Sequence, residues 1–197
     1  MSNDGRRANA SATALFLRRW LVAPGRIGAV APSSRQLGRV MARAALADRP
    51  WQRGVVVELG PGTGRITDAL LAAGLPEGQL LAVERDAELA TYLRGRFPVA
   101  TILTGDATGL PSLLAGRPVA AVVSSLPLLS LPQEVVRAIV AGIAAVLSKD
   151  SLLVQYTYGR GSPLGADLAA LHGFDSVRVG RVWGNLPPAT VWQYKKR

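Results

Sequence analysis

The sequence predicts an α/β protein built on a doubly wound, mostly parallel β-sheet. Three observations predict it. Short apolar strands alternate with helical segments, a glycine-rich turn follows the first strand, and the chain closes with a hairpin pattern. The strands number seven, and we expect the last to be antiparallel so that the hairpin can close. Ligands of such sheets bind at the carboxyl ends of the strands.

Composition fits one domain with a full-sized core. The chain has 197 residues, of which 49% are hydrophobic, and this excludes global disorder. It has no cysteine and a single histidine, His172, which excludes disulfides, thiolate zinc sites and Cys–His catalysis. His172 ends a short helical pattern, where a surface or capping role is expected. The most apolar region, residues 119–131, is too short to span a bilayer, and no signal peptide is present. We therefore expect a cytoplasmic protein that uses no metal.

Positive charge is concentrated at the amino terminus. The formal net charge is +10, and the first 53 residues contribute +8 of it, from ten Arg against Asp4 and Asp48. We therefore expect an anionic macromolecule or surface to meet the protein there.

Residues 12–22 form the first predicted helix. Phe16 and Trp20 share an apolar face, whereas Arg18 and Arg19 point the other way. Packing on the core and reversible binding to an anionic membrane both fit this pattern. Its place at the free end of the chain, beside the positive charge, favours the membrane.

A second predicted helix begins after Ser33 or Ser34 and reaches about Ala47. Its buried side comprises Leu37, Val40, Met41 and Ala44. Arg35, Arg39 and Arg43 form a row on the opposite face, which suits phosphate contact and simple solvation equally. We place residues 1–50 in an amino-terminal region of basic helices that contacts the membrane and covers the site. Residues 51–197 form the α/β domain.

The glycine-rich turn lies in residues 55–64, Val-Val-Val-Glu-Leu-Gly-Pro-Gly-Thr-Gly. It lacks the spacing of a dinucleotide fingerprint and the Gly-Lys-Ser/Thr ending of a phosphate loop. A strand, this turn and a helix over residues 66–73 would bring backbone N–H groups to an anionic ligand.

Later strands deliver further acidic residues to the same edge. A strand over 79–84 ends in Glu84, which can accept hydrogen bonds from both ribose hydroxyls of a nucleoside. The next strand, 99–104, leads to Asp106. Glu58, Glu84 and Asp106 thus reach one edge from three successive strands, and this coincidence indicates a ligand site more specifically than any one of the acids alone. The remaining predicted elements are helices over 86–96, 132–147 and 164–171, strands over 119–123 and 152–157, and a hairpin of 174–182 with 189–194.

The pattern Glu58-x-Gly60-x-Gly62-x-Gly64 resembles the first motif of class I S-adenosylmethionine-dependent methyltransferases, which have a Rossmann-like fold. Other segments narrow the resemblance to the soluble bacterial phospholipid N-methyltransferases, from about residue 12 to the end. They are Phe16-Leu-Arg-Arg-Trp-Leu, Gly28-Ala-Val-Ala-Pro-Ser-Ser34, Ser125-Leu-Pro127 and Tyr156-Thr-Tyr-Gly159.

This resemblance implies stepwise N-methylation of phosphatidylethanolamine toward phosphatidylcholine, with S-adenosylhomocysteine as the second product. It also implies peripheral attachment to the inner face of an anionic phospholipid membrane. The alternatives are a ribosomal RNA adenine dimethyltransferase or a small-amine methyltransferase and, last, a non-catalytic membrane-binding module that keeps the fold. The RNA enzymes end their fourth strand in an Asn-Leu-Pro-Tyr type of sequence. Ser124-Ser-Leu-Pro-Leu stands here instead, so a nucleic acid partner is not expected.

The resemblance also implies roles for individual residues. Gly60, Gly62 and Gly64 would approach the methionine part and the ribose of the cofactor, and Glu58 would orient the turn or the ammonium group. Glu84 would hold the ribose, and Asp106 with Ala107 the adenine. The other implied cofactor contacts are Gly28, Ser33, Pro61, Thr63, Arg85, Ser124 and Leu126. Tyr156 and Tyr158 would line the amine pocket, and Arg160 would bind the lipid phosphate. Phe16, Arg18, Arg19 and Trp20 would meet the membrane.

Overall fold

The computed structural model describes residues 34–197. The predicted membrane helix with Phe16, Arg18, Arg19 and Trp20 lies outside the described residues. The candidate cofactor contacts Gly28 and Ser33 lie outside them as well.

A single seven-stranded sheet organises the described chain, in the order β3-β2-β1-β4-β5-β7-β6. The strands are β1 (Val55–Leu59), β2 (Leu80–Glu84), β3 (Thr101–Thr104), β4 (Val119–Ser124), β5 (Leu147–Thr157), β6 (Phe174–Val182) and β7 (Ala189–Lys196). The first five strands pair in parallel, and β7 runs antiparallel between β5 and β6. The predicted fold class is confirmed.

Helices connect the parallel strands. They are α1 (Arg35–Leu46), α2 (Arg65–Ala72), α3 (Ala87–Arg96), α4 (Leu110–Leu114), α5 (Gln133–Val146) and α6 (Gly165–Leu171). Since β6 is antiparallel to β7, it runs in the same direction as β1–β5. The carboxyl end of β6 therefore lies at the same edge of the sheet as those of the parallel strands.

Helix α1 packs on the sheet as the sequence predicts. The Ser34 hydroxyl caps it by accepting a hydrogen bond from the Leu37 N–H at 3.1 Å. Leu37 and Met41 are fully buried, in one core cluster with residues of β1, β4, β5 and β7. Arg35, Arg39 and Arg43 are exposed on the other face. The helix therefore covers the sheet with its apolar side and presents a row of guanidinium groups to solvent.

Most element boundaries lie within two residues of the sequence prediction, and three differences have a structural reason or are new. Strand β5 begins at Leu147 rather than Leu152, because Leu147 pairs with Val119 before an irregularity in the ladder. Strand β3 begins at Thr101 rather than Val99, since the Val99 N–H is taken by the Glu77 side chain. The short α4 has no counterpart among the predicted elements. Within residues 34–197, no helix combines the length and apolar character needed to cross a membrane.

Candidate active site

The glycine-rich turn is held between the strands on either side of β1. The Gly60 N–H donates to the Val83 carbonyl of β2 at 3.0 Å, and the Ser125 N–H, just after β4, donates to the Leu59 carbonyl at 2.9 Å. Gly60, Gly62 and Gly64 all have positive φ, at 68°, 58° and 80°. Only glycine adopts such angles without strain. The structure thus requires glycine at these three positions.

The space around the turn differs from one glycine to the next. A Cβ at Gly60 would lie 2.9 Å from the Leu126 side chain, and one at Gly64 would lie 2.8 Å from the Phe97 ring. At Gly62 a Cβ would meet nothing within 4 Å. The turn is therefore packed at both ends and open at its middle, where a ligand can approach the backbone. Pro61 is buried and Thr63 is exposed within the same turn.

Glu84 fastens this turn to the end of β2. Its carboxylate accepts the Gly62 N–H at 3.0 Å through Oε2 and the Asp86 N–H at 3.0 Å through Oε1. The side chain is only 3% exposed. A carboxylate has about four lone-pair sites, so two remain for further donors such as ribose hydroxyls.

Glu58 lies beneath the turn and is completely buried. Its Oε2 accepts a hydrogen bond from the Thr67 hydroxyl of α2 at 2.6 Å, while Oε1 has no hydrogen-bond partner among residues 34–197. Burial raises the pKa of Glu58 from 4.5 to about 7 and outweighs the Thr67 hydrogen bond, which lowers it; the nearby Glu84 charge raises it further. This carboxyl group therefore titrates near neutral pH.

The raised pKa makes stability depend on pH. In the folded protein the pKa of Glu58 is about 7, above the ordinary value of 4.5 that applies to the unfolded chain. The folded protein therefore holds the proton more tightly than the unfolded chain. The resulting stabilisation is complete below about pH 4.5 and is lost as the pH rises through 7. We expect urea unfolding at pH 5 and pH 8 to show a loss of about 3 kcal/mol in wild type that Glu58→Gln does not show. Equal losses in the two proteins would contradict the assignment.

Asp106 and Arg85 meet beside Glu84 at the same edge. The Asp106 Oδ1 accepts the Thr108 N–H at 2.9 Å and the Thr108 hydroxyl at 2.8 Å, and so caps the turn that begins at Ala107. Its Oδ2 lies 3.4 Å from Nη1 of Arg85. Glu58, Glu84 and Asp106 therefore reach one edge of the sheet from three adjacent strands, as the sequence predicts.

The ends of β4 and β5 are linked by Gln155, which is fully buried. Its Nε2 donates to the Leu126 carbonyl at 3.0 Å and to the Tyr156 carbonyl at 2.8 Å. The buried Ser124 hydroxyl accepts the Leu126 N–H at 3.4 Å. Within the described chain, Gln155 Oε1 and the Ser125 hydroxyl are buried without a hydrogen-bond partner. The segment after β4 is thus fixed in place, with polar atoms left over for a ligand.

Two tyrosines stand at the end of β5. The rings of Tyr156 and Tyr158 pack edge to face, with centroids 5.5 Å apart. The Tyr158 hydroxyl is buried and has no hydrogen-bond partner in residues 34–197, although Asn185 is a polar neighbour. Burial, followed by the influence of Tyr156, raises the pKa of Tyr158 well above its usual range, against a lowering effect of Asn185. Arg160, two residues further on, is exposed.

Three residues that support the site have no place in the sequence-based prediction. They are Thr67, which holds Glu58, Gln155, which holds Leu126, and Asn185, which faces Tyr158. Gln155 directly follows the apolar run of residues 152–154, and a polar residue in the middle of the predicted strand is the signal that could have identified it. Thr67 and Asn185 have no comparable local signal.

The donor set and the open turn fit a nucleoside with a cationic amino acid attached. Glu58 offers an unpartnered buried oxygen, Gly62 leaves room for close approach, and Glu84 has free lone pairs. A glycine turn at the carboxyl edge of a sheet in this strand order, with acids in the last two residues of β1 and β2 and just after β3, defines a class I methyltransferase.

Comparisons with known proteins agree. The family model described as "Methyltransferase domain" matches residues 56–150. The chain is 34% identical to an ornithine lipid N-methyltransferase of Singulisphaera acidiphila over 185 residues, which is 90% of this chain and 93% of the relative. It is 41% identical over 90 residues to ribosomal RNA small subunit methyltransferase A of Nitrobacter winogradskyi, but spans only 31% of that protein. A magnesium protoporphyrin IX methyltransferase from Synechocystis PCC 6803, solved with bound S-adenosylmethionine, shares the fold. Its TM-score is 0.63 at 13% identity, over 83% of this chain and 79% of that one.

The chain belongs to the class I S-adenosylmethionine-dependent methyltransferases. S-adenosylmethionine is the cofactor of this family.

Proposed function

We propose that this protein transfers methyl groups from S-adenosylmethionine to the amine of phosphatidylethanolamine and of its mono- and dimethyl forms, toward phosphatidylcholine. The observation that carries the proposal is the likeness, over 90% of the chain, to an enzyme named for methylating a nitrogen of a lipid. The tyrosine pair at the end of β5 supports an amine substrate at the adjoining site.

The cofactor is proposed to lie along the carboxyl ends of β1–β4. Gly60, Gly62 and Glu58 hold its methionine end, where the cofactor's positive charge would favour the ionised form of Glu58, which complements the ammonium group. Glu84 accepts the ribose hydroxyls with the lone pairs that Gly62 and Asp86 leave free. The adenine lies by Arg85, Asp106 and Ala107, which meet at the neighbouring strand end. Further contacts come from Pro61, Thr63, Gly64, Ser124 and Leu126.

Catalysis in this site consists mainly of positioning the amine. The bound cofactor supplies a sulfonium methyl group, which the amine nitrogen takes with its lone pair while the electron pair of the broken bond stays on sulfur. Because the raised pKa keeps the Tyr158 phenol protonated at neutral pH, it does not serve as the base, and the amine proton goes to water. The Tyr158 oxygen can accept a hydrogen bond from the amine. The ring faces of Tyr156 and Tyr158 suit the increasingly methylated cation.

Arg160 is proposed to bind the phosphate of the lipid headgroup. It is exposed and lies two residues beyond Tyr158, and a guanidinium group matches the geometry of phosphate. The membrane role of residues 16–20 and the division at residue 50 remain predictions. Attachment to the inner face of the membrane belongs to the same proposal.

A ribosomal RNA substrate is the second candidate, favoured by the local identity to ribosomal RNA small subunit methyltransferase A. Residues 124–128 weigh against it, because they contain neither the Asn nor the aromatic residue that those enzymes carry after the fourth strand.

The test is transfer of labelled methyl from S-adenosylmethionine to three acceptors in parallel. These are anionic vesicles containing phosphatidylethanolamine, the same vesicles containing ornithine lipid instead, and ribosomal RNA. Label in phosphatidylethanolamine is the expected result, and the number of labelled products reports how far methylation proceeds. Label confined to ornithine lipid or to RNA would overturn the proposed substrate and leave the methyltransferase assignment intact.

Tyr158→Phe tests the role of the hydroxyl. We expect turnover of the lipid amine to fall about tenfold, because one positioning hydrogen bond contributes about 1 kcal/mol or more in a buried site. Cofactor affinity should be unchanged, as measured by calorimetry. Tyr194→Phe is the matched control, since it also removes a tyrosine hydroxyl, one that already pairs with the Ser162 hydroxyl at 2.7 Å. Unchanged turnover in Tyr158→Phe would remove this hydroxyl from the mechanism.

A further inference from the structure

The turn between β6 and β7, residues 183–188, exposes large apolar side chains at the same edge of the sheet as the site. Trp183 is 72% exposed and Leu186 is 78% exposed. We refer to residues 183–188 as the hairpin tip. Exposed apolar side chains are common singly, but an aromatic and a leucine on one short turn form a patch that favours an apolar or interfacial partner.

The hairpin tip is anchored on its inner side. Asn185 is only 2% exposed; its Oδ1 accepts the Ser34 N–H at 2.8 Å, and its Nδ2 donates to the Pro187 carbonyl at 2.9 Å. A Cβ at Gly184 would clash with the Gln36 side chain of α1, so the turn packs closely on that helix. The exposed side chains are thus presented by a turn with a defined conformation, which favours a docking element over a loose loop.

The hairpin tip lies beside the proposed amine pocket. Residues 183–188 follow the carboxyl end of β6, and Asn185 faces the Tyr158 hydroxyl at the end of β5. After β4, Leu129 is also exposed, and a Cβ at Gly159 would lie 3.3 Å from its side chain. The segments that follow β4 and β6 therefore carry exposed apolar side chains at the sheet edge where Tyr158 follows β5.

The surroundings of the hairpin tip are cationic. The Arg181 guanidinium stacks over the Trp183 ring, 4.7 Å from its centroid. Arg35 opens α1 beside Asn185, and the segments 34–47 and 176–189 contain five Arg and no acidic residue. None of the ion pairs seen between residues 34 and 197 uses any of these Arg residues. An apolar tip with Arg181 stacked on it and Arg35 beside its anchor complements an anionic lipid surface, where Trp sits at headgroup depth and Arg reaches phosphate.

We infer that the hairpin tip inserts into the interface of an anionic membrane, with Leu186 reaching the acyl chains, Trp183 at headgroup depth and Arg181 at the phosphates. This brings the lipid headgroups close to the proposed amine pocket at Tyr156 and Tyr158, so that a lipid need not leave the bilayer to be methylated. The role given to this insertion rests on the proposed function, in which a lipid is the substrate. The insertion itself can be measured as binding to vesicles without any turnover.

The test is co-sedimentation of the full chain with vesicles of phosphatidylglycerol and phosphatidylethanolamine, without cofactor. We expect Trp183→Ser with Leu186→Ser to lower the partition coefficient about tenfold or more, since two interfacial side chains are lost. The matched control is Leu171→Ser with Val177→Ser, which removes two side chains that are 75% and 60% exposed away from the hairpin tip. The control should bind like wild type. An unchanged thermal midpoint in both double variants will show that folding is intact.

The absence of cysteine from the chain allows a second, direct measurement. An environment-sensitive fluorophore on Leu186→Cys should shift to the blue when vesicles are added, whereas the same label on Leu171→Cys should not. Pure phosphatidylcholine vesicles should give a smaller shift, because the Arg residues then lack anionic partners.

The inference fails if the tip variants bind vesicles like wild type, if labels at 186 and 171 respond equally, or if the tip variants only dissociate a dimer of this chain. Lipid methylation that proceeds while the hairpin tip stays in water would overturn the inference and keep the proposed function. Insertion of the tip without methylation of any lipid would overturn the proposed function and keep the inference.

Discussion

Glu84→Ala should weaken the binding of S-adenosylmethionine about 100-fold or more. The two hydrogen bonds proposed from the ribose hydroxyls to this carboxylate contribute about 1.5–3 kcal/mol each, and both are lost. The substitution leaves the Gly62 and Asp86 N–H groups without their acceptor, and the glycine-rich turn loses its tie to β2. It also removes the proposed acceptor of the ribose hydroxyls. Isothermal titration with the cofactor measures the effect directly.

Glu77→Ala provides a matched control at the opposite end of the same strand. Glu77 precedes β2, and its Oε1 accepts the Val99 N–H at 2.8 Å and the Ala100 N–H at 3.3 Å. Both variants therefore remove a carboxylate that joins two backbone donors, and both should lose some stability. Cofactor affinity should fall only in Glu84→Ala. A similar affinity in the two variants would show that Glu84 has a structural role alone.

Gly64→Ala should reduce turnover about 100-fold and destabilise the protein by about 2–4 kcal/mol, because strain and overpacking act at one position. Gly64 has φ of 80° at the start of α2, and an added Cβ would lie 2.8 Å from the Phe97 ring. Since Phe97 is buried, its ring cannot move aside, and the backbone of the turn must shift. Single-turnover methyl transfer and urea unfolding measure the two effects.

Gly74→Ala is the control for the backbone contribution. Gly74 lies just beyond the other end of α2, has φ of 98°, and has open space where a Cβ would be. We expect it to cost about 1 kcal/mol of strain and to leave methyl transfer per folded molecule unchanged. If Gly74→Ala reduced turnover as strongly as Gly64→Ala, contact with Phe97 would not explain the effect.

The sheet and the cofactor edge could be predicted because their signals are local. Each apolar run of β1, β2 and β4 is followed at once by the residue that reaches the edge, so strand order was not needed to bring Glu58 and Glu84 to the same edge. Parallel strands place their carboxyl ends at the same edge of the sheet whatever their order, and the adjacency of β1 and β2 then makes these two acids neighbours. The cap at Ser34 and the buried face of α1 follow from helical periodicity in the same way.

The supporting contacts could not be predicted because they join distant parts of the chain. Asn185 and Ser34 are 151 positions apart, and no sequence pattern near either residue predicts their hydrogen bond. The early start of β5 depends on pairing of Leu147 with β4, since Ser148 and Lys149 are exposed and lack a strand pattern. The rigidity of the hairpin tip likewise comes from α1, whose sequence carries no sign of that contact.

The two halves of the sheet differ in how readily they open. Strand β1 pairs on both sides and has four buried residues, whereas β6, within residues 34–197, pairs with β7 alone and exposes most of its side chains. Local opening costs least where backbone hydrogen bonds face solvent, so amide protons of β6 should exchange long before those of β1. The glycine-rich turn is therefore attached to the part of the protein that opens last. An opening of the outer strand β6 would then leave intact the turn that is proposed to hold the cofactor.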